Sequence, residues 1–376
     1  APENVSELPA LPEKIKIGSL MALTGFLGPM GTEIVKGVQL AVTEANESGG
    51  IAGRQIELIV EDTATDPATA LEACKKLVEV NGVDIIIGPM ASGEVRGIGE
   101  YCNDSEVVVI SPSATAPDLP ALFPDDYIFR TCGGDEFQGK AMADIIINEN
   151  YEDVAILVLD NPYGVGIENE AKKVFAGKKI DIVITIRYDP TKRDFLTELG
   201  QIASANPDVV LYVGYYEDGR VMFRQALELG LDTIKWVCAE GVYGEALIKE
   251  NNVVFTDVAE FLSRAGIGTR PVAPVVSGYD AFEAKFIAEY GTEPQMYSET
   301  AYDATWLAIQ AIAQAGEYDG AKIRSALKTV SQFYIGASGI KEFDVNGAQA
   351  MQTYEIWAVQ KLGIDNYKFV GIGMWP

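Results

Sequence analysis

Two short apolar runs stand out in residues 84–119, which read DIIIGPMASGEVRGIGEYCNDSEVVVISPSATAPDL. The runs, Asp84–Ile87 and Val107–Ile110, have the length and continuity of neighbouring parallel strands that are buried on both faces. Each run ends in a loop of small residues, at Gly88–Gly93 and at Ser111–Thr115. Because ligands of open α/β sheets bind outside the carboxyl ends of the strands, these loops predict one edge of a binding site.

Hydroxyl side chains lie in both loops and indicate the kind of group that would bind there. Ser92 follows the first run, and Ser113 and Thr115 follow the second. Each lies where a helix is predicted to begin, so unpaired backbone N–H groups and a partial positive charge favour an anion. The loops therefore predict a cradle for a carboxylate-sized group. The alternative is that Ser92 and Thr115 only cap their helices, as Ser and Thr usually do.

Strands and helices alternate on both sides of this segment, which predicts a doubly wound sheet with right-handed crossovers. The predicted N-terminal elements are a strand at Lys14–Leu23, a helix ending near Glu47, a strand at Gln55–Glu61 and a helix at Ala68–Val80 with Asp66 as its N-cap. The alternation restarts after a strand at Tyr127–Arg130 and predicts a second unit of the same design. Its predicted elements are Glu136–Asn148, Val154–Leu159, Ile180–Arg187, Lys192–Ala205, Val209–Val213, Gly219–Leu229 and Lys235–Val237.

The last third of the chain is predicted to complete the first two units rather than to form a third core. A Gly/Pro-rich stretch at Gly266–Pro274 precedes long helices at Ser277–Tyr290, Ser298–Ala315 and Gly320–Thr329, and strands at Ile340–Phe343, Met351–Gln360 and Tyr367–Val370. We expect an α/β fold with two doubly wound parallel-sheet lobes joined by a three-segment hinge. Lobe I is expected to contain residues 1–131 and 262–340, and lobe II residues 132–261 and 341–376, with the ligand cleft between the lobes.

Composition excludes several classes of function. The chain has 376 residues and a formal net charge of −26, which disfavours nucleic acid and anionic membranes as partners. It contains no histidine, which removes Ser-His-Asp and Cys-His nucleophiles and His-ligated zinc. No dinucleotide fingerprint, phosphate-binding loop or nucleophile elbow is present in the sequence. We therefore expect no enzyme activity, no cofactor and no metal.

The four cysteines and the N-terminal segment leave alternatives open. Cys74 and Cys102 fall on successive helices that are predicted to share one face of the sheet, so a disulfide and two free buried thiols are both compatible with the sequence. A bond between Cys132 and Cys238 is equally undecided. The polar lead APENVSELPALPEK resembles the tether left after removal of a signal peptide, and is equally compatible with an arbitrary starting point.

Several motifs, taken in order, resemble the type I periplasmic substrate-binding proteins, specifically the leucine/isoleucine/valine-binding group of branched-chain amino-acid ABC transporters. The motifs span nearly the whole chain: IKIGSLMALTGFLGPMG, GGIAGRQIEL, EDTATDP, IIGPMAS, SPSATAPDL, FRT-x-x-x-D-x-x-QG from Phe129 to Gly139, Asn161–Gly164, Val213–Tyr215 and Ala239–Gly241. The resemblance implies the two-lobed type I fold and a free amino acid as ligand.

The resemblance also implies roles for individual residues. Ser92 and Thr115 resemble hydroxyls that bind the α-carboxylate of the ligand, with Ser113 and Ala114 supplying backbone groups. On the second lobe, the resemblance assigns Glu240 to the α-ammonium and Tyr163 and Tyr215 to an aromatic wall. Met30 and Tyr297 align with side chains that line the family's side-chain pocket, and Tyr216, Tyr302 and Asp303 are further possible contacts. The chain departs from the family at Met30, where an aromatic residue is common, and at Thr65 and Ala91, which occupy the positions of the family's disulfide.

Elementary electrostatics supports the same assignment. Hydroxyl groups and helix N-termini stabilise a carboxylate without a buried cation, and one carboxylate, Glu240, pairs with the ammonium, so a closed site holds no uncompensated charge. We expect an extracytoplasmic receptor, a monomer, that closes by hinge bending and delivers an amino acid, branched-chain or otherwise small and aliphatic, to a membrane permease. The alternatives are a ligand sensor of the same fold for amides or aromatic acids, and a receptor for a benzoate-like acid.

Overall fold

The computed structural model describes residues 11–122, 127–250, 253–272, 278–344, 346–349 and 352–375, which fall into two compact units. Unit 1 contains the described residues of Ala1–Gly133 and Ala273–Ala350, and unit 2 contains those of Gly134–Val272 and Met351–Pro376. The chain therefore passes between the units three times. The second and third passages lie about ten residues beyond the expected positions 262 and 340.

The elements before Gly133 alternate between strand and helix: β1 (Ile15–Met21), α1 (Gly28–Glu47), β2 (Ile56–Asp62), α2 (Pro67–Lys75), β3 (Ile85–Ile87), α3 (Ser92–Asp104), β4 (Val108–Ser111), α4 (Leu119–Leu122) and β5 (Ile128–Arg130). The alternation continues in unit 2 with α5 (Asp135–Asn148), β6 (Asp153–Leu159), α6 (Pro162–Phe175), β7 (Asp181–Tyr188), α7 (Leu196–Ala205), β8 (Val209–Val213), α8 (Tyr216–Glu228), β9 (Lys235–Cys238), α9 (Glu245–Ile248), β10 (Lys249–Glu250), β11 (Val253–Val254), α10 (Thr256–Ala265) and β12 (Gly266–Val272). The chain then returns to unit 1 with α11 (Gly278–Tyr290), α12 (Ser298–Ala315), α13 (Gly320–Ser331), β13 (Ile335–Gly336) and β14 (Gly339–Ile340), and ends in unit 2 with β15 (Thr353–Gly363) and β16 (Asn366–Trp375).

The main sheet of unit 1 is parallel and has the strand order β2-β1-β3-β4-β5. Strands β3 and β4 are buried along their whole length, as the two apolar runs predict. The connections through α2 and α3 run in the same direction across the sheet, and the connection through α1 runs in the opposite direction. Right-handed crossovers therefore put α2 and α3 on one face and α1 on the other. Helix α12 packs beside α1 and contacts β3 and β4.

The main sheet of unit 2 has the order β16-β15-β12-β9-β8-β6-β7. The five strands from β12 to β7 are parallel, and the C-terminal hairpin β15–β16 adds two antiparallel strands beyond β12. Its core is rich in aromatic residues, with Trp236 in edge-to-face contact with Tyr212, Phe223 and Phe261. The predicted α/β class, with a parallel sheet in each lobe, is confirmed.

The predicted elements differ from the observed ones mainly near the passages between units. The stretch after Gly266 is strand β12 of unit 2 as far as Val272, where the sequence predicted a Gly/Pro-rich break. Residues 341–349 stay with unit 1, where the backbone N–H of Arg130 donates to the carbonyl of Gly347 at 3.1 Å. The helix predicted from Lys192 begins only at Leu196. Among the described residues, no helix is both long enough and apolar enough to cross a membrane.

Candidate functional site

The predicted site residues of unit 1 gather at one edge of its sheet. Ser92 follows β3, and Ser113, Ala114 and Thr115 follow β4, the next strand in the sheet. Met30 lies in the first turn of α1, which follows β1, the neighbour of β3 on its other side. Because these strands are parallel, all three loops lie at the same carboxyl edge.

Serine side chains brace the two loops of the predicted carboxylate cradle. The backbone N–H of Ala116 donates to Oγ of Ser92 at 3.1 Å, and Oγ of Ser113 donates to the carbonyl of Met90 at 2.9 Å. Ser111 Oγ donates to the carbonyl of Pro89 at 2.5 Å. Ser92 acts as an acceptor in this contact, and a hydroxyl that accepts can also donate its own hydrogen, here to a carboxylate. The Ser113 hydroxyl hydrogen is already engaged.

Arg130, which the sequence analysis did not identify, supports the loop after β4 through hydrogen bonds to its carbonyls. Its Nη1 donates to the carbonyls of Thr115 at 3.0 Å and Ala116 at 2.9 Å, with a longer contact to Ala114 at 3.4 Å. The N–H of Ala114, which the resemblance assigns to the ligand, donates to Ser111 Oγ at 3.1 Å. The feature of the sequence that could have identified Arg130 is a basic residue at the end of a buried strand. A buried guanidinium requires several hydrogen-bond acceptors, so such a residue indicates nearby carbonyls.

Glu94 fixes the start of helix α3, which carries Ser92. Its buried carboxylate accepts from the backbone N–H of Ala91 at 2.9 Å and from Oγ1 of Thr63 at 2.5 Å. Burial raises the pKa of Glu94, and the hydrogen bond from Thr63 opposes that shift. The loop after β2 is thereby joined to the loop after β3, in the region where the family's disulfide positions hold Thr65 and Ala91.

Met30 and Tyr297, the two residues assigned to the side-chain pocket, are both buried in unit 1. Tyr297 immediately precedes α12 and has a φ of 73°, a left-handed conformation that is uncommon for an aromatic residue. Helix α12 begins in direct contact with α1. The two helices are so close at Gly37 that a Cβ there would lie 2.1 Å from the carbonyl oxygen of Ser298. Glycine at position 37 therefore lets the Tyr297 turn approach α1 closely.

The predicted site residues of unit 2 also gather at one carboxyl edge. Tyr163 follows β6, Tyr215 follows β8, and Glu240 follows β9, and these three strands are consecutive in the sheet. Asn161 caps helix α6 by accepting from the N–H of Gly164 at 2.9 Å, which sets the position of Tyr163 in the first turn. The structure therefore brings together the three residues that the sequence assigned to this lobe.

Tyr163 and Glu240 are in direct contact. The Tyr163 hydroxyl donates to Oε2 of Glu240 at 2.8 Å and accepts from the N–H of Gly241 at 3.3 Å. The Tyr163 ring stacks on Tyr215, with centroids 5.5 Å apart and planes 14° from parallel. A Cβ at Gly241 would lie 2.4 Å from the carbonyl oxygen of Gly214, so glycine is required for this close approach. The result is a buried carboxylate beside two stacked phenol rings.

A second residue missed by sequence reasoning, Asp218, fixes the backbone of Tyr215. Its Oδ1 accepts from the Tyr215 N–H at 3.0 Å, and its Oδ2 accepts from Tyr188 and from Tyr212, the latter at 3.1 Å. Burial raises the pKa of Asp218 to about 7, although the hydrogen bonds from Tyr188, Tyr215 and Tyr212 oppose the shift. The signal in the sequence is an acid three residues after Tyr215, at the third position of a helix.

The lesser candidates have partners inside their own units. The Tyr216 hydroxyl donates to the carbonyl of Tyr243 at 2.6 Å, and the Tyr302 hydroxyl donates to Glu44 at 2.8 Å. Asp303 accepts from the backbone N–H groups of residues 337 and 338 at 2.8 and 2.7 Å. These contacts give each of the three residues a structural role within its own unit. Within the described ranges, no group of three or more acidic or cysteine side chains is arranged to hold a metal ion.

Comparison with known proteins identifies close similarity over most of the chain. A family model described as periplasmic binding protein matches residues 14–363. The leucine-, isoleucine-, valine-, threonine-, and alanine-binding protein of Pseudomonas aeruginosa is 30% identical over 84% of this chain and 82% of its own length.

Solved structures share the fold. The leucine-binding protein of Thermotoga maritima superposes with a TM-score of 0.82 at 25% identity, over 95% of this chain and 98% of that one. A solute-binding protein from Rhodopseudomonas palustris, solved with 3,4-dihydroxybenzoic acid, gives a TM-score of 0.78 at 21% identity, over 97% and 98% of the two chains. At that identity the second likeness concerns the fold alone.

Proposed function

The chain belongs to the periplasmic binding protein family, and we propose that it is an extracytoplasmic receptor that binds a free amino acid for an ABC transporter. The proposed ligand has a branched-chain or other small aliphatic side chain. The receptor acts as a monomer, carries no catalytic activity, and delivers its ligand to a membrane permease. The Pseudomonas relative, whose name gives leucine, isoleucine, valine, threonine and alanine as ligands, supports the ligand class.

The contact between Tyr163 and Glu240 carries the proposal. Glu240 is 4% exposed and lies at the carboxyl edge of the unit 2 sheet. A carboxylate in such a place is costly unless a cation or several donors compensate its charge. The Tyr163 hydroxyl supplies one neutral donor. An α-ammonium group would place a positive charge beside this carboxylate, whereas a simple acid would bring only a second negative charge, so an amino acid fits this site better.

The loops of unit 1 support a carboxylate as the second recognised group. The Ser92 hydroxyl can donate, and it lies in the first turn of α3, where backbone N–H groups and the helix dipole favour an anion. The loop carrying Thr115 is held in place by Arg130, whose charge is directed at the loop's carbonyls. The α-carboxylate therefore binds neutral donors, and the loop that carries Thr115 is held in position by Arg130.

Mechanistically, we propose that one ligand engages both units and that its contacts bias an equilibrium between open and closed states by hinge bending. The ammonium is assigned to Glu240 with Tyr163 and Tyr215, and the carboxylate to Ser92 and Thr115. Met30 and Tyr297 are assigned to the ligand's side chain. The closed state would then be the form that the permease recognises.

A receptor for an aromatic acid is the second candidate function, because the Ser92 loop and the stacked Tyr163 and Tyr215 rings also suit such a ligand. Such a ligand has a carboxylate for the Ser92 and Thr115 loops and a ring for the stacked tyrosines. It has no ammonium for Glu240. The buried Glu240 carboxylate thus favours the amino acid and separates the two candidates. A signalling sensor with the same binding chemistry would differ only in its partner.

The deciding experiment is a ligand panel on protein that has been unfolded and refolded to remove any co-purified ligand. Thermal unfolding is followed with each L-amino acid, with amides and with substituted benzoates. A ligand at 1,000 times its Kd stabilises the protein by about 4 kcal/mol, which a melting curve resolves. We expect a rise in Tm with leucine, isoleucine or valine. A response to benzoates alone would replace the proposal with the aromatic-acid receptor.

A further inference from the structure

Two cysteine side chains of unit 1 lie against each other in its core. The sulfur atoms of Cys74, in the last turn of α2, and Cys102, in the last turns of α3, are 3.3 Å apart. Both residues are completely buried, within the apolar cluster that α2 and α3 form with the sheet. A disulfide needs its sulfurs about 1.3 Å closer than this, so forming the bond requires the two side chains to turn further toward each other.

We propose that Cys74 and Cys102 form a native disulfide that crosslinks α2 to α3. The inference concerns a covalent bond rather than ligand binding, so it goes beyond the proposed function. It does not depend on that function, because the oxidant is added in the experiment. The other two cysteines contact backbone carbonyls instead: Cys132 Sγ lies 3.6 Å from the carbonyl of Ala114, and Cys238 Sγ lies 3.9 Å from that of Trp236. They provide internal controls within the same chain.

The reaction is a thiol–disulfide exchange with a small disulfide such as oxidised glutathione. The thiolate of one cysteine attacks a glutathione sulfur, forms a mixed disulfide and releases one glutathione thiolate. The thiolate of the second cysteine then attacks the protein sulfur of the mixed disulfide, which forms the Cys74–Cys102 bond and releases the second glutathione. Two electrons pass from the protein to the small disulfide, and the two thiol protons end on the released glutathione molecules.

Burial determines when this exchange takes place. The thiolate is the reactive form, and the hydrogen bond with Cys74, together with burial, raises the pKa of Cys102. The same packing keeps a tripeptide reagent away from both sulfurs in the folded protein. We therefore expect the bond to form during folding, when the sulfurs are accessible, and the folded reduced protein to react much more slowly.

The functional consequence concerns stability rather than affinity. The bond would close a loop between residues 28 positions apart in the chain. It would join the distal ends of α2 and α3, whereas Ser92 lies at the opposite end of α3. We expect the oxidised protein to melt at a higher temperature than the reduced protein, by roughly 5–10 °C, with ligand affinity changed less than twofold.

The test compares full-length protein refolded from guanidinium with and without a mixture of reduced and oxidised glutathione. Free thiols are alkylated under denaturing conditions and counted by mass spectrometry. We expect two of the four thiols to be protected after oxidative refolding, with peptide mapping joining Cys74 to Cys102. The Cys132→Ala/Cys238→Ala variant should retain the crosslink and show no free thiol, and Cys102→Ala should leave Cys74 reactive.

Two outcomes would overturn the proposed disulfide, and a third would overturn its expected effect on stability. Four reactive thiols after oxidative refolding would show that the pair is a packing contact between free cysteines. A crosslink that maps to another pair would show that the observed proximity does not direct oxidation. An equal Tm for the oxidised and reduced forms would show that the bond does not stabilise the native packing. The first two measurements use the wild-type chain, so they do not require a variant to fold.

Discussion

The Tyr163 hydroxyl lies 2.8 Å from Oε2 of Glu240 and donates to it. One phenol thus stabilises the charge of a buried carboxylate. A substitution at Glu240 removes the charge itself, whereas a substitution at Tyr163 removes only one hydrogen bond to that charge, so the two should differ in their effect on ligand affinity.

Replacing Glu240 with Gln should raise the Kd for the amino-acid ligand by at least about 100-fold. The substitution removes the negative charge while it keeps the shape, and breaking one partner of a buried ion pair costs about 3–5 kcal/mol. Tyr163→Phe is the matched variant, because it keeps the Glu240 charge and removes one charge-assisted hydrogen bond within the protein. Such bonds are worth about 1.5–3 kcal/mol, and we expect a smaller rise in Kd than for Glu240→Gln because the lost bond is not made to the ligand. Isothermal titration calorimetry on refolded protein measures both. Equal losses for the two variants would contradict a charge-dependent role for Glu240.

Replacing Thr115 with Val should raise the Kd for the ligand by about 10- to 100-fold. The change keeps the β-branched shape and removes the hydroxyl that we propose as a donor to the ligand carboxylate, and hydrogen bonds to charged groups are worth about 1.5–3 kcal/mol. Ser113→Ala is the control from the same loop, since the Ser113 hydroxyl donates to the Met90 carbonyl. It should alter the Kd less than about threefold. A larger effect at Ser113 than at Thr115 would reassign the carboxylate contact.

Replacing Arg130 with Gln should lower the free energy of unfolding by about 3 kcal/mol, because carbonyls of residues 114–116 would lose their buried donor. The matched control is Arg96→Gln. Arg96 pairs with Asp118 on the surface, where both side chains are about half exposed, and loss of such a pair costs less than about 1 kcal/mol. Urea unfolding measures both variants. Similar values for the two arginines would mean that Arg130 does not support the loop.

Asp218 should make the stability of the protein fall as the pH rises from 5 to 7.5. Burial raises the pKa of Asp218 to about 7 in the folded state, whereas the unfolded chain releases this proton near pH 4. Between those values the folded state binds more protons, so the stabilisation is complete below about pH 4 and is lost as the pH approaches 7. The loss over this window should be about 2–3 kcal/mol relative to Asp218→Asn.

Asp208 provides the control for this pH dependence. It is exposed, and hydrogen bonds from the N–H groups of Asp153 and Glu152 lower its pKa. Its contribution is therefore lost only in acid, and the difference between wild type and Asp208→Asn should stay constant from pH 5 to 7.5. Urea unfolding at several pH values gives both differences. A constant difference for Asp218→Asn as well would mean that Asp218 stays ionised throughout.

Local chemistry made much of the scaffold predictable from the sequence. Asp66 was predicted to cap the helix that begins at Pro67, and its carboxylate accepts from the N–H of Thr69 at 2.8 Å. The predicted bounds of Ser298–Ala315 are those observed for α12. These features depend on side chains within a few residues of one another, where cap preferences and apolar periodicity act directly.

Contacts between distant parts of the chain were not predictable in the same way. Asp218 contacts Tyr188 across 30 residues, and Thr63 contacts Glu94 across 31. Neither contact corresponds to a pattern in the sequence that would identify the two partners. The sequence did not predict strand β12, because the strand contains Pro271, which has no backbone N–H to donate. In the structure β12 pairs with β9 only through Gly266–Gly268, so on that side no paired strand requires an N–H from Pro271.

The positions of β12 and β15 determine the order in which a ribosome can complete this protein. The two strands are adjacent in the unit 2 sheet, but the chain between them, Ala273–Ala350, belongs to unit 1. Most of unit 2 is therefore synthesised early, and its sheet keeps an unpaired edge at β12 until β15 and β16 emerge. An exposed edge of this kind invites pairing with other chains. Removal of β15 and β16 should thus promote aggregation, even though every predicted ligand contact precedes these strands in the chain.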